Sequence, residues 1–194
     1  MQPPAEHVHW LFGTAFLLLG LCLLAEAIVG PEVWRRRRWR AYVAPSFVFV
    51  MGVFMWPVMV FFTNSTLHML AHGAWAEVLM FAGAVELALV RGKLQSNWWR
   101  LAMTAAFVVS GAAFLVHEQN AWLFQRSAFL HHLLGWTLLT AAVFPLLRAV
   151  RPRSQTAAAG FALTFVVIAV LLYSDRDVAP VFGHISELAG TPRR

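Results

Sequence analysis

Six apolar runs dominate this chain of 194 residues and leave room for little besides short connectors. A helix needs about 20 apolar residues to cross the hydrocarbon core of a bilayer. Each run has roughly that length, so each predicts a membrane-spanning helix. The runs lie at about 10–29, 41–62, 67–90, 98–117, 127–148 and 157–174. Together they predict an all-α integral membrane protein, folded as a bundle of six transmembrane helices.

The composition supports a membrane protein and argues against a soluble globular one. Hydrophobic residues make up 60% of the chain, charged residues only 12%, and the mean hydropathy is +0.65. Soluble domains have roughly 45–50% apolar and about 25% charged residues. We therefore expect one polytopic membrane domain over 1–174. The remainder, 175–194, is polar and contains proline and glycine, as is typical of an exposed tail.

The positive charges predict the orientation of the bundle. Of the 15 Lys and Arg residues, four fall at the second and fourth connectors or in the tail, and the other eleven fall at the first, third and fifth connectors. The four are Arg126, Arg176, Arg193 and Arg194. Because basic connectors stay on the cytoplasmic side, both termini are expected on the outer side. The bias also accounts for the net charge of +6 without nucleic acid, so the expected partner is the bilayer itself. In a bacterium this would be the plasma membrane.

All eight histidines fall at the outer end of this topology or in the outer tail. Ionisable groups within spans are costly and usually face the bundle interior, where they serve a function. With a rise of about 1.5 Å per residue, four different helices would bring imidazoles to a similar depth. The histidines are His7 and His9 before the first run, His68 and His72 in the third, His117 at the end of the fourth, His131 and His132 in the fifth, and His184 in the tail.

This arrangement predicts a metal site near the outer face. His68 and His72 are four residues apart and share a helix face, which is a chelating spacing. Imidazole suits Zn or Cu, and a neighbouring carboxylate can complete or orient a ligand set. The principal candidate ligands are His72, His117 and His132, and the additional candidates are His9, His68, His131 and Glu118. His7 and His184 are interpreted as solvated side chains.

Two further patterns leave alternatives open. Met51, Met55 and Met59 form a thioether stripe that would suit Cu(I), but the same spacing is typical of core packing. Glu26 and Glu86 lie toward the inner ends of their runs. They would suit a relay of protons or ions, while Glu86 would equally pair with Arg91 or reach the inner interface.

Three sparse motifs resemble the transmembrane protein 45 family, a group of polytopic membrane proteins built on a domain of unknown function. They are His9-x3-Gly13-Thr14-x5-Gly20-Leu21, His72-x10-Gly83-x2-Glu86, and the stretch 114–134 with its acidic residue, histidines and "HHLL" ending. The resemblance implies a helical membrane bundle, with the family's histidines at His9, His72 and His132 and its intramembrane acid at Glu86. Two positions depart from the family pattern: the acid of the fourth span is displaced to Glu118, and a proline near the start of the first span is Phe12.

Four functions are compatible with these features. A Zn or Cu ion with three protein ligands and an open position would lower the pKa of a bound water toward about 7 and support hydrolysis of a lipid or acyl bond. A closed site would be structural, and enzyme status stays open because GxSxG, P-loop and HExxH motifs are lacking. The alternatives are a haem-b membrane cytochrome, a transporter whose cargo is the metal ion, and an accessory or scaffold subunit without catalysis.

Overall fold

The computed structural model describes residues 5–62, 66–116 and 125–174, and within these ranges the chain forms helices and no strand. The long helices follow the predicted apolar runs to within a few residues. The elements are α1 (Ala5–Val29), α2 (Pro31–Trp34), α3 (Arg40–Phe62), α4 (Thr66–Val90), a 3-10 turn (Asn97–Arg100), α5 (Leu101–Val116), α6 (Gln125–Ala141), α7 (Val143–Val150) and α8 (Gln155–Tyr173).

The predicted all-helical character is confirmed, and most of the long helices have the length and apolar composition that a membrane span requires. Among the described residues, five stretches are helical, long and apolar enough to cross a bilayer. They are His9–Val29, Met69–Val90, Asn97–Val116, Ala128–Val150 and Gln155–Tyr173. The predicted run at 41–62 is also a helix, the 23-residue α3. A sixth span at α3 and the outer position of both termini stay predictions, and the predicted tail at 175–194 lies outside the described residues.

The fifth run differs from the single helix predicted over 127–148. It divides into α6, which ends at Ala141, and α7, which begins at Val143. The cause is Pro145, which has no N–H to donate to the carbonyl oxygen of Ala141. The amide of Ala142 still bonds to the carbonyl of Leu138 at 3.0 Å, so the chain continues in nearly the same direction. Such breaks are tolerated within membranes when neighbouring helices cover the freed backbone groups.

The long helices alternate in direction, so the bundle has two chemically different ends. α1 packs along α8, α3 along α4, and α4, α5 and α6 pack in succession. The end formed by 26–40, 86–100 and 148–154 is called the basic end, because it carries most of the arginines. The opposite end, formed by the starts of α1, α4 and α6 and the end of α8, is called the histidine end. There the hydroxyls of Thr14 and Tyr173 share a hydrogen bond of 2.7 Å.

Phenylalanine rings from four helices fill the middle of the bundle. Phe16 lies 5.6 Å from Phe47 and 6.0 Å from Phe165, measured between ring centroids. Phe107 in turn lies 5.5 Å from Phe161 and 6.0 Å from Phe165. These five residues are called the phenylalanine core. They join α1, α3, α5 and α8 and occupy the level between the two ends.

Glycines let neighbouring helices approach closely. A Cβ placed on Gly83 of α4 would lie 2.5 Å from the backbone nitrogen of Phe49 in α3. One placed on Gly52 of α3 would lie 2.6 Å from the backbone nitrogen of Met80 in α4. Lipid is as apolar as a leucine side chain, so helices in membranes associate mainly through such tight packing. Small residues at these crossings are therefore required by the fold.

Candidate functional site

Two histidines from different helices face each other at the histidine end. The rings of His9 in α1 and His131 in α6 have centroids 5.9 Å apart, with an angle of 70° between their planes. Both side chains are half-buried. His9 and His131 both lie in the second turn of their helices, so the pair forms because α1 and α6 start at the same end of the bundle.

This separation is compatible with a shared metal ion. A Zn–N bond of about 2.0–2.1 Å places a ring centroid about 3.2 Å from the metal. Two imidazoles on one ion then have centroids about 5.2 Å apart at the tetrahedral angle and about 6.4 Å apart when opposite. The observed 5.9 Å lies between these limits. The ring separation of His9 and His131 is therefore compatible with two ligands of one ion, and it also lies within the usual range for two aromatic rings in contact.

His72 is buried at the same end, on α4. Its side chain is 7% exposed, an unusual burial for a histidine. Ring contacts run from His72 to Trp75 at 6.3 Å, from Trp75 to Phe114 at 4.6 Å, and from Phe114 to His131 at 5.5 Å. Two aromatic side chains thus connect His72 with His131, and together they build one aromatic wall across α4, α5 and α6.

The remaining candidate ligands are placed differently. His132 is exposed, because neighbouring residues on a helix point about 100° apart and His131 takes the inward direction. His68 belongs to α4, but its side chain is not among those described, and His117 and Glu118 lie outside the described residues. Within the described part of the chain, no three His, Cys, Asp or Glu side chains form a group that would hold a metal ion. A histidine cluster is therefore not supported there, and the ligand set stays a prediction.

Of the two interpretations of the methionine stripe, Cu(I) binding and core packing, the described side chains favour core packing. Met55 is only 4% exposed and belongs to the buried core, while Met51 is half-buried. The side chain of Met59 lies outside the described set. Burial of the central thioether in the core is what a gap-filling methionine would show.

A charged cavity of about 170 Å³ lies at the basic end. Apolar side chains, including Leu19, Val48 and Phe165, form part of its wall. Its charged lining comes from α1, α3, α4, α7, the α2–α3 connector and the 3-10 turn. The charged residues are Glu26, Glu86, Arg35, Arg40, Arg100 and Arg148.

Glu86 pairs with an arginine other than the one suggested by sequence proximity. Its Oε2 accepts from the Nη1 of Arg100 at 3.4 Å, and the two side chains are 15% and 21% exposed. The alternative pairing with Arg91 is therefore wrong. Arg91 follows the last residue of α4 and is exposed, whereas Arg100 ends the 3-10 turn that leads into α5 beside α4. The partner is set by helix packing and not by distance along the chain.

Two other arginines of the cavity lie over aromatic rings. The guanidinium carbon of Arg148 is 4.7 Å from the ring centre of Phe161, and that of Arg40 is 4.6 Å from the ring centre of Trp34. Such cation–π contacts are worth about 0.5–2 kcal/mol, with the higher values at desolvated positions. They leave the N–H groups at the edges of each guanidinium directed away from the ring, where an anion would bind.

Sequence reasoning missed this cavity because it used these arginines only to orient the chain. One signal was available: Arg148 falls within an apolar run, three residues after Pro145. A charge inside a span is a functional candidate by default. The same reasoning that was applied to the histidines would have selected Arg148.

Comparison of the chain with protein-family models, curated proteins and solved structures found no match. The resemblance to the transmembrane protein 45 family accordingly stays a prediction that depends on its three motifs.

Proposed function

We propose that this protein is a six-span membrane protein, with both termini on the outer side, that binds a transition-metal ion, Zn or Cu, at its histidine end. The observation that supports this proposal is the pair of His9 and His131, at 5.9 Å between ring centroids. The pair comes from the first and fifth predicted spans, which are far apart in sequence. Imidazole from two helices of a bundle is a common basis for metal sites.

The rest of the ligand set is drawn from residues close to this pair in the fold or in the chain. Phe114 contacts the His131 ring, and the candidates His117 and Glu118 follow α5 directly after Val116. His72 lies at the same end, with His68 one turn earlier in α4. One or two of these side chains would complete three or four ligands, the number that Zn usually takes from proteins.

The fold also bears on the alternative functions. A metal transporter needs a polar route between the two ends, whereas the phenylalanine core occupies that level. This arrangement favours a site confined to one end. If the bound ion keeps an open coordination position, a water molecule bound there would serve hydrolysis of a lipid ester. This hydrolytic function requires the metal ion to be bound first. A haem-b cytochrome would use the same histidines as axial ligands and is separated from the proposal by its absorption spectrum.

Elemental analysis of detergent-purified protein tests the proposal. We expect about one Zn or Cu per chain in the wild type and loss of that metal in His9→Ala and His131→Ala. Because removal of partners outside the ligand sphere already weakens metal binding by about 10–100-fold, removal of a ligand is expected to weaken it by about 100-fold or more. Titration of the metal-free protein with Zn²⁺ would measure this change.

His132→Ala is the matched control, because His132 adjoins His131 in sequence but is exposed. It should keep the metal, and after removal of metal from every sample all three variants should elute and melt like the metal-free wild type. Equal metal loss in His131→Ala and His132→Ala would contradict the assignment of His131. Wild-type protein without Zn, Cu or iron would refute the metal function and favour an accessory role, while iron with a Soret band would identify the haem alternative.

A further inference from the structure

The cavity at the basic end has an excess of positive charge. Four arginines and two glutamates line it, which leaves two positive charges uncompensated. Among the described residues the ion pair at this cavity joins Arg100 to Glu86. This pairing leaves three arginines and Glu26 along the rest of the wall. The cavity is therefore cationic although it lies at the end of an apolar bundle.

One arginine of the cavity carries a buried donor without a protein acceptor in the part of the chain that the structure describes, and a second lies over an aromatic ring. The Nε of Arg100 is buried and has no hydrogen-bond partner. Arg148 has the ring of Phe161 beneath its guanidinium, and the ion pair described above for this cavity joins other residues. A buried donor without a partner is costly. An anion in the cavity would satisfy both side chains.

The shape and walls of the cavity limit what this anion can be. At about 170 Å³ the cavity has room for several water molecules. This space is large enough for a phosphate group. Guanidinium groups bind phosphate oxygens in bidentate fashion, and the four arginines come from four different segments that converge here.

We propose that the basic end binds a phosphate monoester or diester, with Arg100 and Arg148 as its principal ligands and Arg40 as a third. The phosphate belongs either to a membrane lipid or to a soluble compound, and both present the same oxygens to the guanidinium groups. Arg40 is oriented by stacking on Trp34, as Arg148 is on Phe161. Glu86 holds Arg100 in place, and it therefore positions one ligand and does not itself bind the anion. This site is independent of the metal site at the opposite end.

Binding of phosphatidic acid and of inorganic phosphate to the purified full-length protein tests this proposal. We expect the wild type to bind one or both more tightly than phosphatidylcholine, which has no net charge. Arg148→Gln and Arg100→Gln should weaken this binding by about 10–100-fold, since each removes charge-assisted hydrogen bonds. Arg148→Lys should give an intermediate affinity, because lysine keeps the charge and loses the planar pair of donors.

Arg91→Gln is the matched control, since Arg91 is exposed at the same end and does not line the cavity. It should leave the affinity unchanged within about twofold, the outcome expected for a charge screened by solvent. Phosphatidic acid that is not displaced by inorganic phosphate would identify a lipid headgroup site, and efficient displacement would identify a soluble phosphate site. The proposal fails if the wild type does not distinguish phosphatidic acid from phosphatidylcholine and binds no inorganic phosphate. The melting curves of Arg91→Gln and Arg148→Lys should first show that both variants are folded. The proposal also fails if the folded Arg91→Gln variant loses as much phosphate affinity as Arg148→Gln.

Discussion

Gly83→Leu is expected to destabilise the protein by about 3 kcal/mol or more, the upper part of the range for overpacking a tight contact. The first added carbon alone would lie 2.5 Å from the backbone nitrogen of Phe49 and 2.7 Å from its Cα. Backbone atoms cannot rotate away, so α3 and α4 would have to separate. This separation would also disturb Gly52, which packs against Met80 on the same crossing. Thermal unfolding in detergent, followed by far-UV circular dichroism, would measure the loss.

Ala84→Leu provides the control for this change, since Ala84 is the next residue of α4 and is exposed. It adds a larger side chain to the same helix without entering the crossing, so its melting temperature should stay close to that of the wild type. Gly83→Ala should fall between the two variants. A Gly83→Leu protein as stable as Ala84→Leu would show that α3 and α4 do not cross as closely as described.

Phe165→Ala is expected to cost about 3–5 kcal/mol, as is usual for removal of a buried phenylalanine. Phe165 is 5% exposed, and its ring contacts those of Phe16, Phe107 and Phe161. Its loss would leave a cavity in the middle of the phenylalanine core, which the surrounding helices could fill only in part. Unfolding by increasing amounts of denaturing detergent would measure the change in free energy.

Phe129→Ala is the corresponding control, because Phe129 is 64% exposed on α6. Truncation of this side chain removes contacts with lipid and leaves no internal void. The free energy of unfolding of the variant should therefore differ from that of the wild type by less than about 0.5 kcal/mol. If both variants unfolded alike, the phenylalanine core would not be the packing centre of the bundle. A selective loss in Phe165→Ala would identify it as such.

The sequence was sufficient to predict that histidines gather at one end of the bundle, but it was not sufficient to predict which histidines meet. The sequence predicted that histidines of separate helices would lie at one end, and His9 and His131 do meet there. It favoured His132 over His131, and two adjacent histidines cannot be distinguished without knowing how α6 is rotated about its axis. That rotation depends on α6 packing against α5, where Gly135 and Gly111 lie at the contact. Likewise, sequence distance suggested Arg91 for Glu86, whereas packing of α4 beside α5 supplies Arg100.

The sequence by itself determined the helical, membrane-type character of this protein and the approximate bounds of its long helices. Both follow from the length of uninterrupted apolar runs, because a buried backbone in lipid must satisfy its own hydrogen bonds and a helix does so locally. Only the tertiary structure decided which charged and aromatic side chains meet. Contacts such as Arg148 over Phe161, or His9 beside His131, join residues of different helices. They depend on helix rotation and crossing, which arise from packing among many side chains and leave no periodic signal in the chain.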